Sequence, residues 1–357
     1  MRIIQSRSAL PALALVSVTA VWGSTFFLIK DLVTQMPPLD FLGVRFAIAG
    51  ALIALVQMQR LKRATRADWV RGATLGGVYS LGQVTQTVGL QYTDASISGF
   101  ITGMYVVLTP ILAALLFRQR VAGKAWGAVV LATVGLGFLS LKGALIPTQA
   151  SAEVASLGGG LFHGHIPLLG FGETLTLIGA AFYALHIVLL GHWAKRSDPV
   201  TLGAIQLVAA GGFLGASALP GGATLPQTPA AWVSLLYMAV VAGIGAIMVQ
   251  TWAQSKMQAT TAAVIMTGEP VFAAAFAIAF GGEVFGARLA VGGTLVLAAM
   301  LLVEVWGESD DPTQSGGEQD SNDGGQRVAS PNTVVGPNQT VRPHSSPTLG
   351  VSETTSG

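Results

Sequence analysis

Apolar stretches of about twenty residues, separated by short polar connections, follow one another along the first 306 positions of the chain. A helix needs about 20 mostly apolar residues to cross the hydrocarbon core of a bilayer, and helices keep their backbone polar groups paired there. The pattern therefore predicts an all-α membrane protein with ten spans: Leu10–Lys30, Leu39–Met58, Val70–Gln91, Ile97–Phe117, Trp126–Leu141, Leu168–His192, Thr201–Leu219, Ala231–Gln254, Thr260–Phe280 and Arg288–Trp306.

Composition supports lipid as the solvent of this chain. Of its 357 residues, 52% are hydrophobic and only 10% are charged, and the mean hydropathy is +0.62. A soluble domain carries about 25% charged residues, so an ordinary soluble enzyme is excluded. The chain has no cysteine, which also excludes disulfides, thiolate catalysis and cysteine metal sites.

The distribution of lysine and arginine predicts the orientation, because cytoplasmic connections are enriched in both. If the chain starts inside, the cytoplasmic ends receive Arg2, Arg7, Arg60, Lys62, Arg63, Arg66, Arg71, Arg118, Arg120, Lys124, Lys195, Arg196 and Lys256, and the outer ends receive Lys30, Lys142 and Arg288. Both termini are therefore predicted to lie in the cytoplasm, in a multi-pass protein of the cytoplasmic membrane. Orientation accounts for the positive charges, and no nucleic-acid partner is expected, since no basic groove with interleaved aromatic residues appears.

The segments outside the spans have their own interpretations. Arg2 and Arg7 before an apolar run are also typical of a cleavable signal peptide, although that run continues to Ile29 and is long enough to cross. Residues 307–357 are rich in Gly, Ser, Thr, Asn, Asp and Pro, and we predict a disordered cytoplasmic tail. His163 and His165 lie in the predicted outer loop, and two histidines are too few to indicate a metal site.

The chain matches itself at an offset of 163 residues, where Trp69-Val70 falls on Trp232-Val233. Further identities at this offset join Gly82 with Gly245, Gln91 with Gln254, Ala114 with Ala277, Phe117 with Phe280, Val121 with Val284 and Leu139 with Leu302. Near the start the offset is 161, which places Trp22 on Tyr183, Pro38 on Pro199 and Arg45 on Gln206. We therefore predict two five-span repeats, residues 1–141 and 168–306, joined by an outer loop of residues 142–167.

An odd number of spans in each repeat orients the two repeats oppositely in the membrane. Inverted repeats of this kind place a substrate site near the midplane between them, and rocking of one repeat against the other gives alternating access. The alternative is a membrane scaffold or sensor that was duplicated without transporting anything.

Short motifs in both halves resemble those of one transporter family. They are residues 91–96 (QYTDAS) and 108–115 (LTPILAAL) in the first half, and residues 172–173 (GE), 184–188 (ALHIV), 269–274 (EPVFAA) and 281–283 (GGE) in the second. These stretches resemble the EamA family of the drug/metabolite transporter superfamily. The resemblance implies ten helices in two inverted repeats around a central cavity, usually for export of amino acids, metabolites or drugs. The family often has an acid at the equivalent position of both halves. The second half has Glu283 there, but the first half has Arg118-Gln119-Arg120, so a role shared by two acids does not carry over to this chain.

Two charged residues that lie well away from the ends of predicted spans are the strongest binding candidates. Glu269 lies near the centre of its span, where a charge costs about 2.5–3.5 kcal/mol on insertion scales, so it should face a wet interior. There it either exchanges a proton, binds a substrate ammonium group, or stays permanently protonated against a neighbouring helix. Arg45 either binds a substrate carboxylate through its planar fork, extends outward to the interface, or pairs with Glu173.

Polar and aromatic residues at helical spacing are the further candidates for the cavity wall. Tyr79, Gln83 and Gln86 recur along one face of the third span, and Gln250 is their counterpart in the eighth; amides either bind a substrate or hold helices together. His186, with Tyr183 one turn earlier in the sixth span, is either a proton relay or a packing residue. Trp22 and Tyr105 either shape the cavity walls or pack against other helices.

Pro110 and Pro270 are candidate hinges. Each removes a backbone hydrogen bond inside a helix and leaves a carbonyl free, that of Val106 and that of Met266. A kink at each proline would let the repeats rock, although prolines are common in membrane helices for other reasons.

The absence of sequence motifs for catalysis favours transport over enzymatic function. Neither a Walker A sequence, nor a Gly-x-Ser-x-Gly elbow, nor a His-Glu-x-x-His helix appears. We therefore expect a secondary transporter for a small organic solute, with or without proton coupling, and no catalytic residue, metal or cofactor. An intramembrane enzyme is the less favoured alternative. The expected partners are the solute and the lipid bilayer, together with protons if transport is proton-coupled.

Overall fold

The computed structural model describes residues 9–117, 125–145, 169–218 and 222–307. Every regular element in these ranges is helical. The α-helices are α1 (Ala9–Leu32), α2 (Pro38–Val56), α3 (Met58–Arg63), α4 (Arg66–Gly89), α5 (Ala95–Thr102), α6 (Tyr105–Phe117), α7 (Ala125–Leu145), α8 (Phe171–Trp193), α9 (Pro199–Ser217), α10 (Pro229–Ala239), α11 (Ala246–Gln254), α12 (Ala259–Ile265), α13 (Gly268–Ala279) and α14 (Ala287–Gly307).

Seven stretches in the described residues are long and apolar enough to cross a membrane. α7 and α14 contribute shorter apolar stretches, Val130–Leu139 and Ala287–Leu302. The protein is therefore a multi-pass membrane protein, and the count of ten spans is not confirmed.

The third predicted span is a helix, α4, but it is too polar to belong to these seven. Its buried face carries Tyr79, Ser80, Gln83, Gln86 and Thr87, and these side chains lower the apolar character of the helix. α4 begins at Arg66, four residues before the predicted span, because Thr65 and Asp68 form a reciprocal cap in which the side chain of each bonds the backbone N–H of the other.

Three predicted spans are interrupted where the sequence predicts continuous helices. The fourth breaks at Gly103-Met104 between α5 and α6, and the ninth breaks at Met266-Thr267 between α12 and α13. In the eighth, a π-helical segment, Val240–Gly245, separates α10 from α11. Irregular backbone is tolerated at membrane depth only inside protein or beside a water-filled cavity, so these interruptions indicate where a cavity lies.

Helix boundaries repeat along the chain at the two offsets found in the sequence. α2 begins at Pro38 and ends at Val56, and α9 begins at Pro199 and ends at Ser217, both 161 residues later. The break from Thr102 to Tyr105 recurs from Ile265 to Gly268, 163 residues later. The two-repeat architecture therefore fits the described helices.

Ion pairs at the two ends of the bundle join the connections that inverted repeats would bring together. Arg60, after α2, forms an ion pair with Asp198, before α9, with 3.0 Å between Nη1 and Oδ2. Asp94, before α5, contacts Arg288 at the start of α14, with 3.4 Å between the charged atoms. Repeats in the same orientation would instead bring the connection after α2 to the connection after α9.

The repeats pack through α2 against α9, α7 against α14, and α4 against α8. Between α2 and α9 the backbones approach closely at Gly50 and Gly211. A Cβ at Gly211 would lie 2.6 Å from the carbonyl oxygen of Phe46, so a larger residue would separate the helices. Small residues give membrane helices this close contact.

Several predicted features fall on residues that the structure does not describe. These are the signal-like residues Arg2 and Arg7, the Arg118-Gln119-Arg120 departure, the outer-loop histidines His163 and His165, and the tail of residues 308–357. The predicted outer loop, residues 142–167, begins inside a helix, since α7 continues to Leu145.

Candidate substrate-binding cavity

A cavity lies between the repeats, with about 40 Å³ of space open to the centre of a water molecule. All ten binding candidates from the sequence line it: Trp22, Arg45, Tyr79, Gln83, Gln86, Tyr105, Tyr183, His186, Gln250 and Glu269. The remaining walls, which sequence reasoning did not select, are Thr25, Phe26, Ile29, Thr102, Ile187 and Met266.

Glu269 is the second residue of α13, directly after the break in the ninth span, and its side chain faces the cavity. Only 5% of its surface is exposed, and its Oε2 accepts a hydrogen bond of 2.9 Å from the hydroxyl of Tyr105. Across the ranges that the structure covers, no lysine or arginine forms an ion pair with it.

Pro270 lies in the first turn of α13 rather than at a kink inside a helix. The first N–H groups of a helix have no intrahelical partner, so proline is tolerated there. The carbonyl oxygen of Met266 accepts from the N–H of Glu269 at 3.0 Å and from the hydroxyl of Tyr105 at 2.9 Å. Pro110, in contrast, lies inside α6. The two candidate hinges therefore have different surroundings.

Arg45 is buried on α2 with 2% of its surface exposed. Its Nε donates to the carbonyl oxygen of Met238 at 3.2 Å, and its Nη1 donates to Oε1 of Gln83 at 3.4 Å. The guanidinium carbon lies 4.8 Å from the ring centroid of Phe46, a cation–π distance. Arg45 thus carries a buried charge with no acid paired to it among the described residues.

The two alternatives for Arg45 that the sequence left open are not what the structure contains. Its burial is inconsistent with a side chain that extends to the interface. Glu173 accepts instead from Thr93 Oγ1 at 3.2 Å, near the end of α4.

A directed chain of hydrogen bonds leads from Arg45 along the cavity wall to α5. Gln83 Nε2 donates to the hydroxyl of Tyr183 at 2.7 Å, and that hydroxyl donates to Gln86 Oε1 at 2.9 Å. Gln86 Nε2 then donates to Thr102 Oγ1 at 2.9 Å. Each amide uses both of its ends, so the chain holds the wall in one arrangement.

His186 is buried and belongs to a second hydrogen-bonded group. Its Nε2 lies 2.8 Å from Gln206 Oε1, and Gln206 Nε2 donates to Thr251 Oγ1 at 2.9 Å. Because the amide oxygen accepts, Nε2 of His186 carries the hydrogen. The ring of Tyr79 lies beside it, with 5.3 Å between ring centroids.

Gln250 and Trp22 line the cavity beside the π-helical segment. Trp22 Nε1 donates to the carbonyl oxygen of Ala242 in that segment at 2.9 Å. Gln250 is only 1% exposed, and its Oε1 receives no hydrogen bond from any described residue. Buried acceptors are rarely left unpaired, so this oxygen is available to a solute donor or to water.

Sequence reasoning missed Thr102 and Gln206, the polar partners of two candidates. Thr102 ends an apolar helix, and its partner Gln86 is on a different span, so nothing local marks it. Gln206 was noted as the repeat counterpart of Arg45, and that equivalence was the available signal. No group of three or more His, Asp or Glu residues in the described ranges is arranged to hold a metal ion.

A model of the EamA-like transporter family matches residues 9–141 and 170–305. The chain belongs to this family. The EamA-like family match thus covers both predicted repeats, and the protein is a membrane transporter.

The chain is also similar to curated proteins that are named transporters, and its fold is similar to that of a solved structure. An "Uncharacterized transporter" of Archaeoglobus fulgidus is 32% identical over 293 residues, covering 82% of this chain and 85% of the relative. The "Uncharacterized inner membrane transporter YedA" of Escherichia coli strain K12 is 25% identical over 277 residues, covering 76% and 82%. A crystal structure with 15% identity superposes with a TM-score of 0.58 over 85% of this chain and 98% of its own, which shows the fold alone.

Proposed function

We propose that the protein is a secondary transporter that exports a small zwitterionic solute, such as an amino acid, across the cytoplasmic membrane by alternating access coupled to protons. The observation that carries the proposal is a pair of buried, oppositely charged side chains in one cavity. Arg45 and Glu269 both line it, and neither has an ion-pair partner in the described part of the chain.

Two unpaired charges in a low-dielectric interior are costly, at several kcal/mol each. A solute with a carboxylate and an ammonium group offsets both costs at once. The planar fork of Arg45 matches a carboxylate, and the Oε1 acceptors of Glu269 and Gln250 suit the N–H donors of an ammonium group. The aromatic rings of Trp22 and Tyr79 line the same cavity and offer an apolar surface to the rest of the solute.

The cavity in this conformation is too small to hold such a solute. The space open to the centres of water molecules is about 40 Å³, which accommodates a few water molecules at most. Helix movements are therefore needed for a solute to enter and leave.

Alternating access and proton coupling follow from the same site in this proposal. The interruptions of the fourth and ninth spans allow the outer and inner parts of each span to move separately. Glu269 takes up a proton when the ammonium group is absent and releases it when the solute binds. Outward movement is the direction that the resemblance to the EamA family implies.

The test is flux through the purified full chain in liposomes. We expect transport of alanine, and at least about tenfold slower transport of its N-acetyl and methyl ester derivatives, since each lacks one charge and tenfold corresponds to about 1.4 kcal/mol. Lack of flux for a broad panel of amino acids, metabolites and drugs, with or without a pH gradient, would overturn the proposal.

Glu269→Gln is the variant that tests the coupling. It should lose the acceleration by a pH gradient, because a glutamine cannot exchange a proton, while it remains folded. Glu173→Gln is the matched control, because Glu173 lies outside the cavity and contacts Thr93. An unchanged response of Glu269→Gln to the gradient would remove proton coupling at this residue from the account.

A further inference from the structure

We infer that Tyr105 is a positioning residue that couples the protonation of Glu269 to the backbone break at Met266-Thr267. The inference rests on the proposed proton coupling and assigns its mechanical step. Its basis is the position of one hydroxyl between a carboxylate and a backbone carbonyl that proline leaves without its usual helix partner.

The hydroxyl of Tyr105 contacts two acceptors at the same distance. It lies 2.9 Å from Glu269 Oε2 and 2.9 Å from the carbonyl oxygen of Met266. Met266 is four residues before Pro270, so the N–H that would bond this carbonyl in a continuous helix does not exist. This carbonyl accepts instead from the N–H of Glu269 at 3.0 Å, and Tyr105 supplies a second donor from α6 of the other repeat.

A phenol has a single hydrogen, so it serves one acceptor at a time. When Glu269 is ionised, the carboxylate attracts that hydrogen more strongly than a neutral carbonyl does. When Glu269 is protonated, its own O–H donates to the phenol oxygen, and the hydrogen of Tyr105 is free to bond Met266. The proton lost on ionisation goes to water in the cavity. The carbonyl beside the break therefore gains or loses a donor as Glu269 titrates.

The other ionisable groups that face Glu269 across the cavity are Arg45 from α2, Tyr79 from α4, and Tyr183 and His186 from α8. Among the described residues, α1 and α5 present no ionisable side chain to this cavity, and α6 presents Tyr105 alone. Tyr105 is also the residue whose side chain bonds Glu269. A change in the protonation of Glu269 therefore alters the hydrogen bond of Tyr105 to the backbone directly, without an intervening residue.

The position of Tyr105 makes the link one between repeats. It is the first residue of α6, directly after the break in the fourth span, and it bonds Met266, the first residue of the break in the ninth span. The hydroxyl of Tyr105 therefore links the break in the fourth span to the equivalent break in the ninth. A change in its partner alters the connection between the two interrupted helices.

The test is hydrogen exchange of the backbone amides from Met266 to Val271 in the purified full chain without solute, corrected for the intrinsic pH dependence of exchange. In the wild type we expect protection of these amides to change about fivefold across the titration of Glu269, the factor for one hydrogen bond. Glu269→Gln should remove the change. Tyr105→Phe should also remove it, while infrared difference spectra still show a titrating carboxyl group.

Tyr237→Phe is the matched control. Its hydroxyl bonds Ser24 Oγ at 2.8 Å, outside the cavity, so its loss should leave the exchange profile intact. If Tyr105→Phe is poorly folded, 3,5-difluorotyrosine placed at position 105 keeps the shape and makes the hydroxyl a stronger donor to the carboxylate. The midpoint of the exchange profile should then move to lower pH.

The outcomes separate this inference from the proposed function. A wild-type profile without any pH step, together with an absent carboxyl titration, contradicts proton coupling at Glu269. A step that persists in Tyr105→Phe, or a midpoint that difluorotyrosine leaves in place, overturns the role of Tyr105 and leaves the proposed transport intact.

Discussion

The two repeats share their helices but not their charges. Arg45 of the first repeat corresponds to Gln206 of the second at the offset of 161, and Glu269 of the second corresponds to Val106 of the first at the offset of 163. The helix boundaries and the breaks, in contrast, recur at these same offsets. Duplication therefore preserved the scaffold, and each repeat contributes one charge of opposite sign to the shared cavity.

The two breaks differ in the same way. At the second break, the carbonyl oxygen of Met266 receives the hydroxyl of Tyr105. In the first repeat, Pro110 lies beyond the break, inside α6, and frees the carbonyl of Val106, to which the described residues show no side-chain hydrogen bond. The residue that corresponds to Pro270 is Val107. We therefore expect proton coupling to act on the second break, next to Glu269. The first break provides the residue that follows it, Tyr105, as the hydrogen-bond partner.

The largest loss of transport is expected when Arg45 of the first repeat is replaced by glutamine, the residue at the equivalent position 206 of the second. Arg45→Gln should weaken transport of a carboxylate-bearing solute roughly 10–100-fold, the factor for a hydrogen bond to a charged group. The melting temperature should stay the same or rise, since an unpaired buried charge is removed. Flux and thermal unfolding of the same preparation measure both.

Arg60→Gln is the matched control for this change. Arg60 is about half exposed in its ion pair with Asp198, and such pairs contribute about 0–1 kcal/mol. Equal losses of flux in the two variants would contradict a special role for Arg45.

A smaller effect is expected from the prolines, and it should differ between the repeats. Pro270→Ala restores an N–H that competes with Tyr105 for the carbonyl of Met266, and we expect transport to slow about fivefold. Pro110→Ala should change the transport rate less. The carbonyl that Pro110 frees is that of Val106, and the hydroxyl of Tyr105 does not bond it. Initial rates at saturating solute make the comparison, and a greater loss in Pro110→Ala would reverse the assignment.

The smallest effect concerns the wall between the charges. A Cβ at Gly82 would lie 2.7 Å from the ring of Tyr183, so Gly82→Ala should displace the ring and disturb its bonds to Gln83 and Gln86. We expect a severalfold rise in KM and a loss of stability of about 1–3 kcal/mol from overpacking. Gly212→Ala, with nothing within 4 Å of its added methyl group, should change neither KM nor stability appreciably. Matching kinetics in the two variants would argue against a role for this wall.

The composition of the cavity was predictable because long polar side chains inside apolar spans must face protein or water. That rule selected Glu269, Arg45 and the glutamines without any knowledge of the fold. Their partners were not predictable. Gln83 meets Tyr183, and Tyr105 meets Met266, because helices distant in the sequence lie side by side.

The helix interruptions were only partly predictable. Gly103 weakens a helix and gives some indication of the first break, but Met266-Thr267 contains no residue that ends helices. Pro270 suggested a kink at its own position, whereas the break precedes it. The polarity of α4 was also visible in the sequence, yet the length of the run favoured a standard apolar span.

The most direct test of the account measures distances between spin labels on the two ends of the protein. The chain has no cysteine, so label pairs are introduced without removing native thiols. One pair joins Gln59 to Lys195 at the predicted inner end, and the other joins Gln35 to Gln227 at the predicted outer end. When a transported solute is added, the two distances should change in opposite directions, and Glu269→Gln should abolish the response to pH. If the solute raises the melting temperature while both distances stay fixed, the protein binds without alternating access, and the account is contradicted.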